Sequence, residues 1–210
     1  MVGQIGYIAP EPTTAMAGRP KHFDEQKTLE QAMELFWAKG YDCTGISDLE
    51  KALGIGRQSI YNTFGDKRTL FIKAFQHYAH TRSGTMVGML QQEGTGEEKI
   101  DRFFTMLINI QCSDQRTGCL LANSVSSSIQ KDTEAASIVD VCLKRLHKEL
   151  SHCLEQQTPD VSERKKTAWL LVNTAQGLCI LSKSGQPKST LTGIKNKTLS
   201  LIFTPQLTTQ

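Results

Sequence analysis

Residues 44–71, TGISDLEKALGIGRQSIYNTFGDKRTLF, constrain the fold more than any other stretch of the chain. Ile46, Leu49 and Leu53 share one face of a short helix; Ile60 and Phe64, four apart, share one face of the next. Gly54 lies between them, where a helix commonly ends in a left-handed conformation that costs other side chains more. The pattern predicts two short helices on a tight turn, with a further helix opening at Gly65-Asp66. Burying Ile60 and Phe64 leaves Gln58 and Asn62 on roughly the opposite face, flanked by Ser59 and Tyr61. Amides and hydroxyls so placed can hydrogen-bond base edges in a major groove. An ordinary helix pair in an all-α core has the same spacing, so the rest of the chain has to discriminate.

The chain has 210 residues, enough for one or two modest domains, and 39% hydrophobic residues, enough for a packed core. No uninterrupted apolar run reaches the ~18 residues of a membrane span, so no membrane partner is expected. The net charge of +3 is mild; residues 19–82 hold 10 Lys/Arg and 8 Asp/Glu, a local +2. Placement is more telling than the total: Arg19 and Lys21 precede the first helix, and Arg57, Lys67 and Arg68 surround the proposed reading helix. A solvated charged face has the same composition. The six cysteines include no CxxC pair and no zinc-type set, which argues against a metal site and for reduced thiols in a cytoplasmic protein. Residues 1–18 lack a basic head and an apolar stretch and are expected to be a disordered extension, with Met16 a candidate natural start. None of the five histidines joins a nucleophile–base–acid set, so neither an enzyme nor a cofactor is expected.

Helical periodicity continues to the end of the chain. Leu29, Ala32, Met33 and Phe36 form a stripe on a first helix from about Asp24 to Lys39, and Thr44 is the expected cap of the second. The helix opened by Asp66 carries Leu70, Phe71, Ala74, Phe75 and Tyr78 toward Leu90. After a polar loop, Gln91–Glu98, comes a helix with Ile100, Phe103, Phe104, Leu107 and Ile110. Helical segments are expected over Cys119–Ile129, Asp132–Gln156 and Leu191–Phe203. Residues 168–181, AWLLVNTAQGLCIL, are apolar nearly all round, so both sides of that helix need covering, one of them by a second copy of the chain or by its own subunit. No strand pattern or repeat is evident, and the fold class is all-α.

The head of the chain resembles the TetR family of one-component transcriptional regulators over about residues 18–75. The residues that carry the likeness are Gly18-Arg19-Pro20; Ala32, Phe36, Gly40 and Tyr41; Thr44; Gly54-Ile55; Ile60-Tyr61; Phe64; and Lys67 with Leu70. The resemblance implies about nine helices, with a helix-turn-helix DNA-binding domain over 19–66 and a C-terminal ligand-binding and dimerisation domain over 67–210. It implies double-stranded operator DNA as partner, a homodimer through the last two long helices, and a small-molecule effector of unknown identity. The DNA-binding set is then Arg19, Lys21, Thr44, Arg57, Gln58, Ser59, Tyr61, Asn62 and Lys67, with Thr44, Tyr61 and Lys67 where relatives hold phosphates. Three positions depart from the family pattern: Gly56 replaces the usual Ser or Thr cap of the third helix, Glu50 replaces a small residue at the helix crossing, and Thr63 replaces a common His or Tyr.

The expected activity is repression through a palindromic operator, relieved when the effector binds. Candidate pocket residues are Met89, Phe103, Phe104, Leu107 and Cys119, with Asn123, Trp169, Asn173 and Gln176 as polar contacts. The expected dimer interface comprises Leu171, Thr174, Ala175, Leu178 and Leu181 with Ile194, Leu199 and Ile202. Two alternatives stay open at this point. One is a redox or electrophile sensor of the same fold using Cys119, whose thiol would be activated by a helix N-terminus; the other is a helical dimeric adaptor that binds no DNA.

Overall fold

The computed structural model describes residues 23–113 and 118–204. The 1–18 extension, Met16, Arg19 and Lys21 lie outside the described residues. Helix α1 spans Glu25–Lys39 and starts where Asp24 accepts hydrogen bonds from the amides of Gln26 and Lys27, at 2.9 and 3.1 Å. Helices α2, Ile46–Leu53, and α3, Arg57–Phe64, are separated by Gly54 at φ +66°, the left-handed position that the spacing called for. Helix α4, Lys67–Tyr78, opens on Asp66, whose carboxylate accepts from the Thr69 amide at 2.7 Å. It runs on through a π turn, Ala79–Ser83, then α5, Gly84–Gly88, and a 3-10 turn, Met89–Gln91, as one unbroken rod.

The remaining helices are α6, Gly96–Gln111; α7, Leu120–Val125; α8, Thr133–Cys153; α9, Val161–Lys183; and α10, Lys188–Phe203. Thr95 and Glu98 form a capping box at the start of α6, while Asp132 and Asp160 cap α8 and α9. With the 67–91 rod taken as one, the described residues contain nine helical rods and no strand.

Two apolar clusters hold these rods. The first is aromatic: Phe71 of α4 receives Phe36 edge-on at 5.1 Å and Tyr41 at 5.0 Å, and Phe75 packs beside it at 5.3 Å. Leu49 and Ile60 are fully buried against this cluster. The short helices α1–α3 thus complete their core with α4, as a three-helix unit of that size requires. The second cluster gathers Ile100, Phe103 and Phe104 of α6 with Leu150, Leu171, Leu178 and Leu191.

Two local expectations need correction. Thr44 does not cap α2: its hydroxyl donates to the Gly40 carbonyl at 2.6 Å and the residue is fully buried, so the cap falls to Gly45. Asp48 turns back to accept from the Gly45 amide at 2.7 Å, half of a capping box, glycine having no side chain to complete it. Likewise α7 stops at Val125, short of Ile129. Ser124 and Ser127 donate to the carbonyls of Leu120 and Ser124, competing with the helical ladder in the polar run.

Gly96 is required by close approach. A Cβ there would sit 1.8 Å from the Cys153 carbonyl oxygen, whereas at helical Gly88 it would meet nothing within 4 Å. Gly96→Ala is expected to cost ~1–3 kcal/mol or more through overpacking, and Gly88→Ala to stabilise by about 0.5–1 kcal/mol. Thermal unfolding of the two variants checks this; equal stability for both would contradict it.

Candidate DNA-reading head and effector cavity

Two of the three departures from the family pattern compensate each other. Gly56 at the N-cap of α3 has no side chain to accept from the first helical amides. Glu50 of α2 accepts instead, its Oε1 lying 2.8 Å from the Arg57 amide nitrogen. Its second oxygen lies 3.8 Å from the Arg57 guanidinium. A carboxylate at that end also suits the helix dipole. The reading helix is therefore capped from the neighbouring helix, which fixes the angle between the two as well as the start of α3.

Arg57, Gln58, Ser59, Tyr61 and Asn62 all lie on the exposed side of α3. Gln58 Nε2 donates to Asn62 Oδ1 at 2.9 Å, which presents the two amides as one oriented unit. Lys67 stands at the start of α4 with its ammonium 4.4 Å from the centre of the Tyr41 ring. Six of the expected DNA residues thus share one end of the molecule. Thr44 does not join them: its hydroxyl is spent inside the turn and cannot hold a phosphate. Arg68 points elsewhere, its Nε 2.5 Å from Asp132 and its terminal nitrogen 3.3 Å from Glu134, both at the start of α8.

That pair is one of several ties between the head and the second half of the chain. Asp42, in the α1–α2 connection, accepts from the amide and hydroxyl of Ser128. Arg82 of the π turn pairs with Glu30 and Glu34 of α1 at 3.2 and 3.4 Å. Deepest is the Gly118 carbonyl, which accepts from the Trp37 indole of α1 at 3.0 Å and from the Gln111 amide of α6 at 3.2 Å. Ser182 of α9 donates to the Gln111 carbonyl at 2.6 Å, so α1, α6 and α9 meet at one point.

Beside this point is a cavity of about 410 Å³, within the range of small-molecule sites. Trp37, Tyr78, Met86, Met106 and Ile110 contribute to its wall, together with the expected Met89, Phe103, Leu107, Cys119 and Gln176. Gln111 leaves its Oε1 buried with no donor, an acceptor free to receive a hydrogen bond from a guest. Four expected pocket residues lie elsewhere. Phe104 packs into the second core on the other side of α6. Asn123 accepts from Lys183 at 3.0 Å. Trp169 stacks on His147 at 4.5 Å and is 45% exposed, and Asn173 is exposed. Gln176 lines the cavity with its neighbours Ala175 and Cys179, whereas Trp169 and Asn173 lie on the exposed side of α9.

Cys119 sits in the cavity wall at the N-cap of α7. The Tyr78 hydroxyl donates to its sulfur at 3.7 Å, and the Cys179 thiol and the Leu121 and Ala122 amides lie near enough to favour its charged form. With the Cys179 thiol the largest contribution, these groups outweigh burial and pull the Cys119 thiol down to about 6. The same contact pushes the Cys179 thiol well up. Burial and the nearby Cys119 raise the Tyr78 hydroxyl likewise. The sequence marks Cys119 but says nothing of Cys179, sixty positions on, or of Tyr78, which has the look of ordinary core.

The expected dimer set divides. Leu171, Ala175, Leu178 and Leu199 are at most 7% exposed and belong to their own protomer's core, because α9 is packed by α6 and α8 on that side. Thr174, Leu181, Ile194 and Ile202 are half-buried. Among the apolar groups of α9 and α10 that face outward are Leu170, Ile180 and Leu201, at 50, 60 and 57% exposure. At Gly177 between them a Cβ would meet nothing within 4 Å.

Glu50→Ala is expected to fray the start of α3 by ~0.5–2 kcal/mol of capping free energy, and Gly56→Ser in the same chain to restore it. Amide exchange at Arg57 reports the loss in Glu50→Ala, and exchange at Ile60, in the first turn of α3, follows both effects. Unchanged protection in Glu50→Ala would contradict the cross-helix cap.

Among the described residues no helix is long and apolar enough to cross a membrane, and no three His, Cys, Asp or Glu side chains gather as a metal site. Residues 29–74 match the family model described as bacterial regulatory proteins, tetR family. The chain is 34% identical over 138 residues to the uncharacterised HTH-type transcriptional regulator YezE of Bacillus subtilis, covering 65% of this chain and 71% of that one. It is 27% identical over 195 residues to the HTH-type transcriptional repressor ComR of Escherichia coli, covering 88% of this chain and 91% of ComR. Its fold is similar to that of a cysteine mutant of the TetR family regulator CifR complexed with 26-bp operator DNA: TM-score 0.77, 21% identity, 86% of this chain and 98% of that one. The chain belongs to the TetR family of bacterial DNA-binding transcriptional regulators.

Proposed function

We propose that the protein is a repressor that binds a roughly palindromic operator as a homodimer and leaves it when a small molecule fills the cavity beside Gly118. The observation that carries this reading is the pairing of an exposed amide-bearing α3 with a 410 Å³ cavity open to one side, joined by the Trp37–Gly118–Gln111 contacts. ComR, which matches most of the chain, is named a transcriptional repressor. The outward apolar face of α9 and α10, Leu170, Ile180 and Leu201 around Gly177, suits a second copy related by a twofold axis. Two α3 helices so related enter successive major grooves when their spacing is about 34–36 Å. A guest shifts the population only by its differential affinity for protomers at that spacing and at others. Filling the cavity displaces the wall residues Trp37 of α1 and Tyr78 of α4, and both helices lead to the head.

In this reading Lys67, Arg57 and Tyr61 hold phosphates and set register, while Gln58, Ser59 and Asn62 choose bases. The Gln58–Asn62 unit presents the donor and acceptor pair suited to an adenine edge. Arg19 and Lys21 are assigned to the DNA-binding set on the same reading. Domain limits of 19–66 for the head and 67–210 for the effector and dimer part are assigned on the same reading, with α4 shared between the two cores.

Asn62→Ala is expected to reduce discrimination between the operator and a scrambled duplex by ~1–3 kcal/mol. Lys67→Ala is expected to weaken both duplexes alike and lower the salt slope by about one. Titration of upstream DNA by fluorescence anisotropy at several salt concentrations separates the two effects. Equal losses on both duplexes for both variants would overturn the division of roles.

A further inference from the structure

We propose that Cys119 and Cys179 form a dithiol couple inside the effector cavity, closed to a disulfide by a small organic hydroperoxide. This rests on the reading of the cavity as the effector site and gives that site its chemistry. Three observations carry it. The two thiols are neighbours in one cavity wall, Cys119 at the N-cap of α7 and Cys179 on α9. Both lie in the wall of a cavity large enough for a guest, in which Met, Phe, Leu and Ile side chains are joined by Glu30, Thr81, Arg82, Ser83, Thr85 and a third thiol, Cys142. Cys119 also has the surroundings of a nucleophile: it stands at the N-cap of α7, and the Tyr78 hydroxyl donates to its sulfur at 3.7 Å. The neighbouring Cys142 lacks these; burial raises its thiol and Ser83 is its hydrogen-bond partner.

The reaction balances without further cofactors. The Cys119 thiolate attacks the outer oxygen of R–O–O–H, the O–O bond breaks, and the alkoxide leaves as the alcohol with the proton that Cys119 had given up. The Cys119 sulfenic acid that results is then attacked by Cys179, and the S–OH oxygen departs as water with the Cys179 proton. Two thiols and one hydroperoxide become one disulfide, one alcohol and one water. The apolar wall selects a hydroperoxide with a hydrocarbon body, and the Gln111 oxygen left without a donor can accept from its O–H while it is bound.

Closure has a mechanical consequence. The two sulfurs must approach to ~2.05 Å to form a disulfide, which draws the start of α7 toward α9. Gly118 immediately precedes Cys119, and its carbonyl is the group that the Trp37 indole of α1 holds. Oxidation at one residue therefore strains the hydrogen bond at the next.

The test uses the full-length reduced protein treated with cumene hydroperoxide, with hydrogen peroxide in parallel. Peptide mapping without reductant is expected to show a 119–179 crosslink, formed at lower concentrations of cumene hydroperoxide than of hydrogen peroxide. Cys179→Ser is expected to stop at a Cys119 sulfenic acid trapped by dimedone, Cys119→Ser to give neither product, and Cys142→Ser to behave as the parent. Affinity for DNA upstream of the protein's own gene is expected to fall about tenfold or more on oxidation and to return with reductant. Free thiols at both positions after treatment, a crosslink through other cysteines, or a 119–179 disulfide that leaves affinity unchanged would overturn the proposal. A reduced protein that ignores all upstream DNA counts against the repressor reading instead, while the crosslink map still decides the couple.

Discussion

The arrangement depends on the carbonyl of Gly118. It accepts from α1 through Trp37 and from α6 through Gln111, and it sits directly before the helix that presents Cys119 to the cavity. Each hydrogen bond is worth only ~0.5–1.5 kcal/mol net. Losing one costs more, because a donor left unpaired in a partly dry wall carries its desolvation penalty. A shift in that wall is therefore felt by α1. Trp37 passes it along the edge-on contact with Tyr78 at 5.0 Å, which joins α1 to the rod that leaves the head.

The head is held to the rest at its rim as well as at this point. Arg68 to Asp132 and Asp42 to Ser128 bind the α2–α4 side to the start of α8, while Arg82 clamps α1 from the π turn. Exposed ion pairs of this kind contribute little individually, but they restrict how the head can move. In the proposed mechanism, with the rim tied to α8, filling the cavity is relieved by tilting α1 and α4 together. The π turn at Ala79–Ser83 lies where that rod borders the cavity, and such turns mark places where a helix is locally underbound.

Much of the fold was legible because helix ends carry their own chemistry. Asp24, Asp66 and Gly54 mark starts and stops by hydrogen bonds and backbone angles that depend on neighbours in sequence. The reading face was legible for the same reason, since burial of Ile60 and Phe64 settles where Gln58 and Asn62 point. Thr44 was misjudged because its hydroxyl had two backbone choices and took the Gly40 carbonyl. Helix α9 was harder. A helix apolar on every side gives no phase, so Leu171, Ala175 and Leu178 passed for interface while Leu170 and Ile180 occupy the open face. Cavity walls are the least legible, because they are assembled from α1, α4, α6, α8 and α9 at once. Only Met89, Phe103, Leu107, Cys119 and Gln176 were found, and Cys179 acquires a role only when the fold lays it on Cys119.

The most direct check is the indole N–H signal of Trp37 in the isotope-labelled full-length protein, recorded with and without duplex DNA from upstream of its own gene. If the Gly118 contacts link head and cavity, binding at α3 must alter that N–H, and its resonance will shift or its exchange will slow. An indole signal that stays the same while the resonances of Gln58 and Asn62 report bound DNA would show that the head acts alone.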